Sequence, residues 1–204
     1  AGTGSAASAT LNVTALVAPG AVKAFGAATI LVGASTTLRV TLTANNATAI
    51  TGVQFTDDLP LNMFISSTTT AMTCTTGTIE GRTGAGAWGP VAVGNTSWRF
   101  TGGTIPSSSN CYAEVTISSN DAGGYINTTS TIFTSNAGIF GPASDTLDVL
   151  GPPLISKSFS VDTMTTAGSG GESRLTITLS NPTTAATSLT GVAVLDLFPT
   201  SVPG

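Results

Sequence analysis

A fourteen-residue segment occurs twice in this chain. It reads ATAITGVQFTDDLP over residues 47–60 and ATSLTGVAVLDLFP over residues 186–199. A short chain that carries one segment twice is read first as consecutive copies of a single structural unit. The second copy turns Asp57–Asp58 into Asp196–Leu197, so only the first aspartate recurs.

Other stretches recur in the same order. VKAFGAATI (22–30) has its counterpart in SKSFSVDTM (156–164), with Lys and Phe two residues apart in both. In an extended strand that spacing puts Lys23 and Phe25 on one face. ASATLNV (7–13) is matched by ASDTLDV (143–149), and each is followed by a proline-bearing junction, VAPG (17–20) or GPP (151–153). Proline removes a ladder donor and fixes φ, which suits a corner between units.

Leu38, Val40 and Leu42 alternate with polar residues, as do Leu175 and Ile177 in RLTITL. The middle of the unit occurs once. It offers short strands at 62–66, 97–102, 111–119 and 124–134, with a glycine-rich loop or protruding hairpin over Gly77–Gly94. Short strands separated by turn signals, with no helical periodicity, predict an all-β fold of immunoglobulin-like β-sandwich repeats, one complete and one partial. The expected units are a terminal strand (1–16) belonging to a preceding or neighbouring repeat, a complete repeat (17–150) and the first half of a second (151–204). Half a sandwich leaves an apolar face open on Phe159, Leu175, Ile177, Val192 and Val194. Further chain or another subunit is expected to cover it.

Composition narrows the function. Charged residues are 8% of the chain against 41% hydrophobic, and six scattered Lys and Arg cannot assemble a phosphate-binding surface. Nucleic acid and anionic membranes are therefore not expected partners. No apolar run approaches the roughly 20 residues that span a bilayer, so no membrane insertion is expected in this segment. The chain has no histidine, which removes the usual general base and the commonest metal ligand. No catalytic residue, metal site or cofactor is expected, and the chain is not read as an enzyme.

Several of these pieces together resemble a known family. Lys23 and Phe25, Thr51–Pro60, Cys74, Thr101–Pro106, Cys111 and Ala122–Thr129 are similar to the conserved repeat of bacterial surface proteins called domain of unknown function eleven and its close relatives. The resemblance implies secreted, tandemly repeated Ig-like domains in long surface proteins, stalks or fibres, without known catalysis.

Candidate sites follow. Cys74 and Cys111 are the only cysteines and fall in one unit, so they are expected to form a disulfide in an oxidising compartment. Lys23, Asn127 and Asp57 are candidates for an isopeptide crosslink: a desolvated lysine, an amide on a late strand and a carboxyl to carry the proton. The plainer reading is a Lys23–Asp57 salt bridge, with Asn127 bonding a turn. Asp57–Asp58 with Asp121 or Asp145 are weaker calcium candidates, for want of a regular ligand loop. Trp88, in the glycine-rich loop, is the candidate contact for a glycan or protein ligand, whereas Trp98 is read as core. Asn12, Asn46, Asn95 and Asn127 stand in glycosylation sequons.

The expected role is a structural segment of an extracellular fibre or cell-surface stalk. Its partners would be adjacent repeats or other copies of itself, with strand 7–13 complementing a neighbour's open half-repeat. The alternative is an adhesin-like binding module.

Overall fold

A computed structural model describes residues 2–10, 15–163, 171–181 and 188–198. The described residues form strands and no helix. In chain order the first seven are β1 (Gly20–Phe25), β2 (Thr29–Leu31), β3 (Ser35–Ala44), β4 (Ile50–Asp58), β5 (Met63–Ile65), β6 (Ala71–Met72) and β7 (Thr78–Arg82). They are followed by β8 (Ser97–Ile105), β9 (Ser109–Ser119), β10 (Gly123–Thr128), β11 (Ile132–Phe133), β12 (Ile139–Phe140) and β13 (Ser144–Leu150). Two more, β14 (Leu154–Phe159) and β15 (Leu175–Ser180), form a separate antiparallel pair.

The main body is a sandwich. One sheet runs β1-β3-β9-β5, with β6 also on β9; the other runs β12-β11-β4-β8-β7. Leu38, Val40 and Leu42 of β3 and Ala113, Val115 and Ile117 of β9 pack in one buried cluster with Ile50, Val53 and Phe55 of β4 and Trp98, Phe100 and Ile105 of β8. Alternate residues of each strand point into this layer, as period-two patterning requires. Phe55 meets the Trp98 ring edge to face at 5.2 Å. A third sheet, β10-β13-β2, in which β13 and β2 are parallel, closes one side. It is tied to β1 by the amide of Phe25, which donates to Asp145 Oδ2 at 2.8 Å.

The expected strand over 124–134 is two. β10 pairs with β13, and then the chain crosses to β4 through a single bridge between Asp57 and Thr129 before β11 begins. Ser130 secures the crossing: its amide donates to the Thr56 carbonyl at 2.7 Å, and its hydroxyl accepts from the Thr56 amide at 3.0 Å. The expected loop over Gly77–Gly94 is also partly a strand. Thr78–Arg82 forms the sheet edge against β8, because Ile79 can pack on the core. The rest folds back through a bridge between Gly81 and Gly89.

Cys74 and Cys111 are joined in a disulfide. Cys111 faces Leu42 in the β3–β9 ladder, so the bond fastens the segment after β6 to the centre of a sheet.

The recurring Thr-Gly has a conformational cause. Gly52 takes φ of 63° where β4 slips register against β8, and Gly191 in the second copy takes 70°. A Cβ on Gly52 would lie 1.8 Å from Ser135 Oγ, because the turn after β11 sits directly on this bulge. Thr51 and Ala49 are bonded there by Asn136.

β14 and β15 repeat the register of β1 and β3. Lys23 faces Val40 and Phe25 faces Leu38; Lys157 faces Ile177 and Phe159 faces Leu175. The expected third strand of this second part is not formed over the described residues 188–198. β4 takes its ladder from β8, whereas among the described residues no strand pairs with 188–198. Phe159, Val192 and Val194 are exposed. Of the N-terminal stretch expected as a strand, residues 7–10 are exposed and outside any strand, whereas 11–14 lie outside the described residues.

Two outcomes check this architecture. Gly52→Ala combines a positive φ with a backbone-adjacent clash and is expected to destabilise by about 2 kcal/mol or more; a change under about 0.5 kcal/mol in chemical denaturation would remove the bulge's importance. Reducing the disulfide releases a 37-residue separation and is expected to cost about 4 kcal/mol, read as a lower denaturation midpoint with dithiothreitol.

Candidate functional site

Lys23, Asp57 and Asn127 come together in the interior. Lys23 lies mid-strand on the inward face of β1, as the Lys-x-Phe alternation predicts, and its side chain is fully buried. Asp57 is at the end of β4 with 0% exposure, and Asn127 on β10 is 1% exposed. Lys23 Nζ donates to Asp57 Oδ2 at 2.6 Å. Asn127 Nδ2 donates to the other carboxylate oxygen, Asp57 Oδ1, at 2.8 Å, and to the Asp58 carbonyl at 3.2 Å. Trp98 Nε1 donates to Asp57 Oδ2 at 3.0 Å. One carboxylate thus holds an amine, a carboxamide and an indole from three strands.

The electrostatics are those of a dry site. Burial lowers the pKa of Lys23 from the ordinary lysine value. The charge and hydrogen bond of Asp57, and the more distant charge of Asp145, oppose that shift without overcoming it. Asn127 Oδ1 is buried and has no hydrogen-bond partner. An orphaned buried acceptor costs about 1–3 kcal/mol and calls for an explanation.

From the sequence alone Trp98 reads as a core residue with no part in this site. It is core, yet its indole nitrogen orients Asp57. Its position two residues before Phe100 on an alternating strand marks it as inward, but nothing local marks its hydrogen-bond partner. Asp58 points the other way: its side chain is 70% exposed and lies 3.7 Å from Arg82.

The other candidates separate. No group of three or more His, Cys, Asp or Glu able to hold a metal occurs among the described residues. Asp57 is committed to the cluster, Asp145 accepts from Phe25, and Asp121 stands at the β9–β10 turn. Trp88 is half-buried, and the guanidinium groups of Arg82 and Arg99 lie 4.3 and 4.7 Å from its centroid. Asn46, Asn95 and Asn127 are buried, which closes three sequons to a glycan; Asn12 lies outside the described residues.

The second part carries a related pair. Lys157 Nζ donates to Asp196 Oδ1 at 2.7 Å. Lys157 and Asp196 occupy the positions of Lys23 and Asp57 in the recurring segments. Here the pair is partly exposed, and Asp196 Oδ2, itself buried, has no hydrogen-bond partner among the described residues. In the first unit the corresponding oxygen, Asp57 Oδ1, accepts from the Asn127 amide.

The class of the molecule is therefore an all-β sandwich with a buried amine–carboxylate–carboxamide cluster and an internal disulfide. Residues 19–149 match the family described as Domain of unknown function (DUF7933), and the chain belongs to that family. The match is to this family rather than to domain of unknown function eleven, which the motifs resemble. A comparison with curated proteins finds no match.

Several solved structures are similar to the chain at low identity. A cohesin module from a Clostridium perfringens family 33 glycoside hydrolase is 8% identical over 67% of this chain and 99% of its own, with a TM-score of 0.46. BcpA, the major pilin subunit of Bacillus cereus, is 13% identical over 68% of this chain and 42% of its own, at 0.45. The C-terminal domain of the Streptococcus agalactiae antigen I/II polypeptide BspA is 12% identical over 64% and 49%, at 0.41. This chain spans about half or less of the last two.

Asp57 and Asp58 are adjacent and opposite in burial, which gives a clean comparison. Asp57→Ala strands a buried ammonium and is expected to cost about 3–5 kcal/mol. Asp58→Ala is expected to stay within about 0.5 kcal/mol. Equal effects in urea titrations would contradict the cluster's importance.

Proposed function

We propose that this chain is a structural segment of an extracellular fibre or cell-surface stalk built from tandem Ig-like repeats. The observation that carries the reading is the recurrence of the Lys–Asp pair. Lys157 and Asp196 repeat Lys23 and Asp57, on strands that repeat the register of β1 and β3. A pair reproduced at the same place in two successive units belongs to the design of the repeat, not to a single active centre.

Three further features support it. The disulfide is of a kind that persists in oxidising compartments. The chain is polar through Thr, Ser, Gly and Asn more than through charge, and has no histidine. The open apolar face on Phe159, Val192 and Val194 fits a repeat whose remaining strands come from a neighbouring segment or another copy, by strand complementation in the second case. The function of such a unit is mechanical: to hold a fixed length under load while contacting adjacent repeats.

Immunogold electron microscopy of the native cells tests this. An antibody raised against residues 17–150 is expected to decorate extended structures outside the cell envelope. Label confined to the cytoplasm would overturn the proposal.

A further inference from the structure

We propose that Lys23 and Asn127 become joined by an intramolecular isopeptide bond, formed by the chain itself with Asp57 carrying the proton. The inference stands on the geometry of the cluster and does not depend on the extracellular reading.

Asp57 binds the nucleophile and the electrophile at once. Its Oδ2 receives Lys23 Nζ at 2.6 Å, and its Oδ1 receives the Asn127 carboxamide nitrogen at 2.8 Å. An amine and an amide held on the two oxygens of one carboxylate are neighbours, and folding has already removed the entropy of their encounter. Trp98 Nε1 fixes the carboxylate from a third strand. Water is kept out, since all three side chains are buried in the sandwich. A carboxamide is a poor electrophile in solution, and its amine partner is normally a hydrated ammonium. Desolvation changes the second condition, because a buried ammonium beside a carboxylate is readily neutralised by transfer of one proton.

The reaction balances without any other reagent. Lys23 Nζ gives a proton to Asp57 Oδ2, leaving a neutral amine and a carboxylic acid. The amine lone pair bonds to Cγ of Asn127, and the carbonyl π pair moves to Oδ1. Asp57 then gives its proton to Asn127 Nδ2 and takes one from the attacking nitrogen. The Cγ–Nδ2 bond breaks with its electron pair, ammonia leaves, and the carbonyl re-forms. One amine and one carboxamide yield one secondary amide and one ammonia, with no change of oxidation state. Asp57 ends as a neutral acid, a donor that the previously unpartnered Asn127 Oδ1 lacked.

The bond would join β1 to β10, two strands that do not share a ladder. Tension entering at β1 would pass across the new amide and bypass residues 24–126, which include β3, β4, β8, β9 and the disulfide. Among the described residues no side-chain amide bonds the Lys157–Asp196 pair, which is partly exposed, so this chain is expected to lose one ammonia and not two.

Mass spectrometry of the intact, reduced and denatured chain tests the bond. The expected mass is lower than that of the sequence by about 17 Da, the mass of one ammonia. After reduction and trypsin, Lys23 is expected to resist cleavage, and peptide 1–39 should be found joined to peptide 100–157. The full sequence mass would overturn the proposal. So would a loss of about 17 Da with these two peptides free, as an asparagine cyclised to a succinimide would give. Asn127→Ala and Asp57→Ala are expected to retain the full mass, and Lys157→Arg to show the same loss as the parent. Because the mass and peptides of the parent chain are themselves sufficient, a variant that fails to fold does not obscure the outcome.

Discussion

The structure depends on a single buried carboxylate. Asp57 lies inside a sandwich of Leu, Val, Ile and Phe, where an unpaired charge would be costly, and it is tolerated because every side of it is occupied. Lys23 brings β1, Trp98 brings β8, and Asn127 brings β10. The same three contacts therefore define which strands can lie beside the end of β4. A purely apolar packing would hold those strands with less desolvation but would not select this arrangement. Polar specificity comes with the desolvation, and the same desolvation makes the amine and the amide chemically available to each other.

Several irregularities serve that position. The chain after β10 leaves one sheet and joins another at Asp57 and Thr129, so Asn127 is aimed inward just before the crossing. On the opposite end of β4, the bulge at Gly52 admits the turn carrying Ser135 and Asn136. Between the two, β4 runs against β8 and presents Phe55 to Trp98. The disulfide acts elsewhere, on β9 and the segment after β6, which pairs with it. Covalent closure by cysteines and polar closure at Asp57 thus restrain different parts of the sandwich.

The second part of the chain shows what burial contributes. Its strands have the register of β1 and β3, and its lysine finds its aspartate. That pair is partly exposed, however, and Asp196 Oδ2 has no hydrogen-bond partner among the described residues. Similar local sequence gives the ion pair; the dry environment of Lys23 and Asp57 comes from the sandwich packed around them.

Much of this is legible in the residues. Alternation over 38–42 places Leu38, Val40 and Leu42 inward, because a strand has period two and one face must leave water. The repeated fourteen-residue segment marks a stretch that both units reuse, whereas the bulge at Gly52 shows only in the structure. The paired cysteines and the recurrence of Lys and Asp name the covalent and ionic partners. Tertiary structure alone decided the rest. That 123–133 divides between two sheets, that Trp98 donates to Asp57, and that Trp88 meets the guanidinium groups of Arg82 and Arg99 are long-range facts with no local signature. Local sequence sets which side of a strand a residue faces; whether lysine, aspartate and asparagine then meet out of water is set by how three sheets close around them.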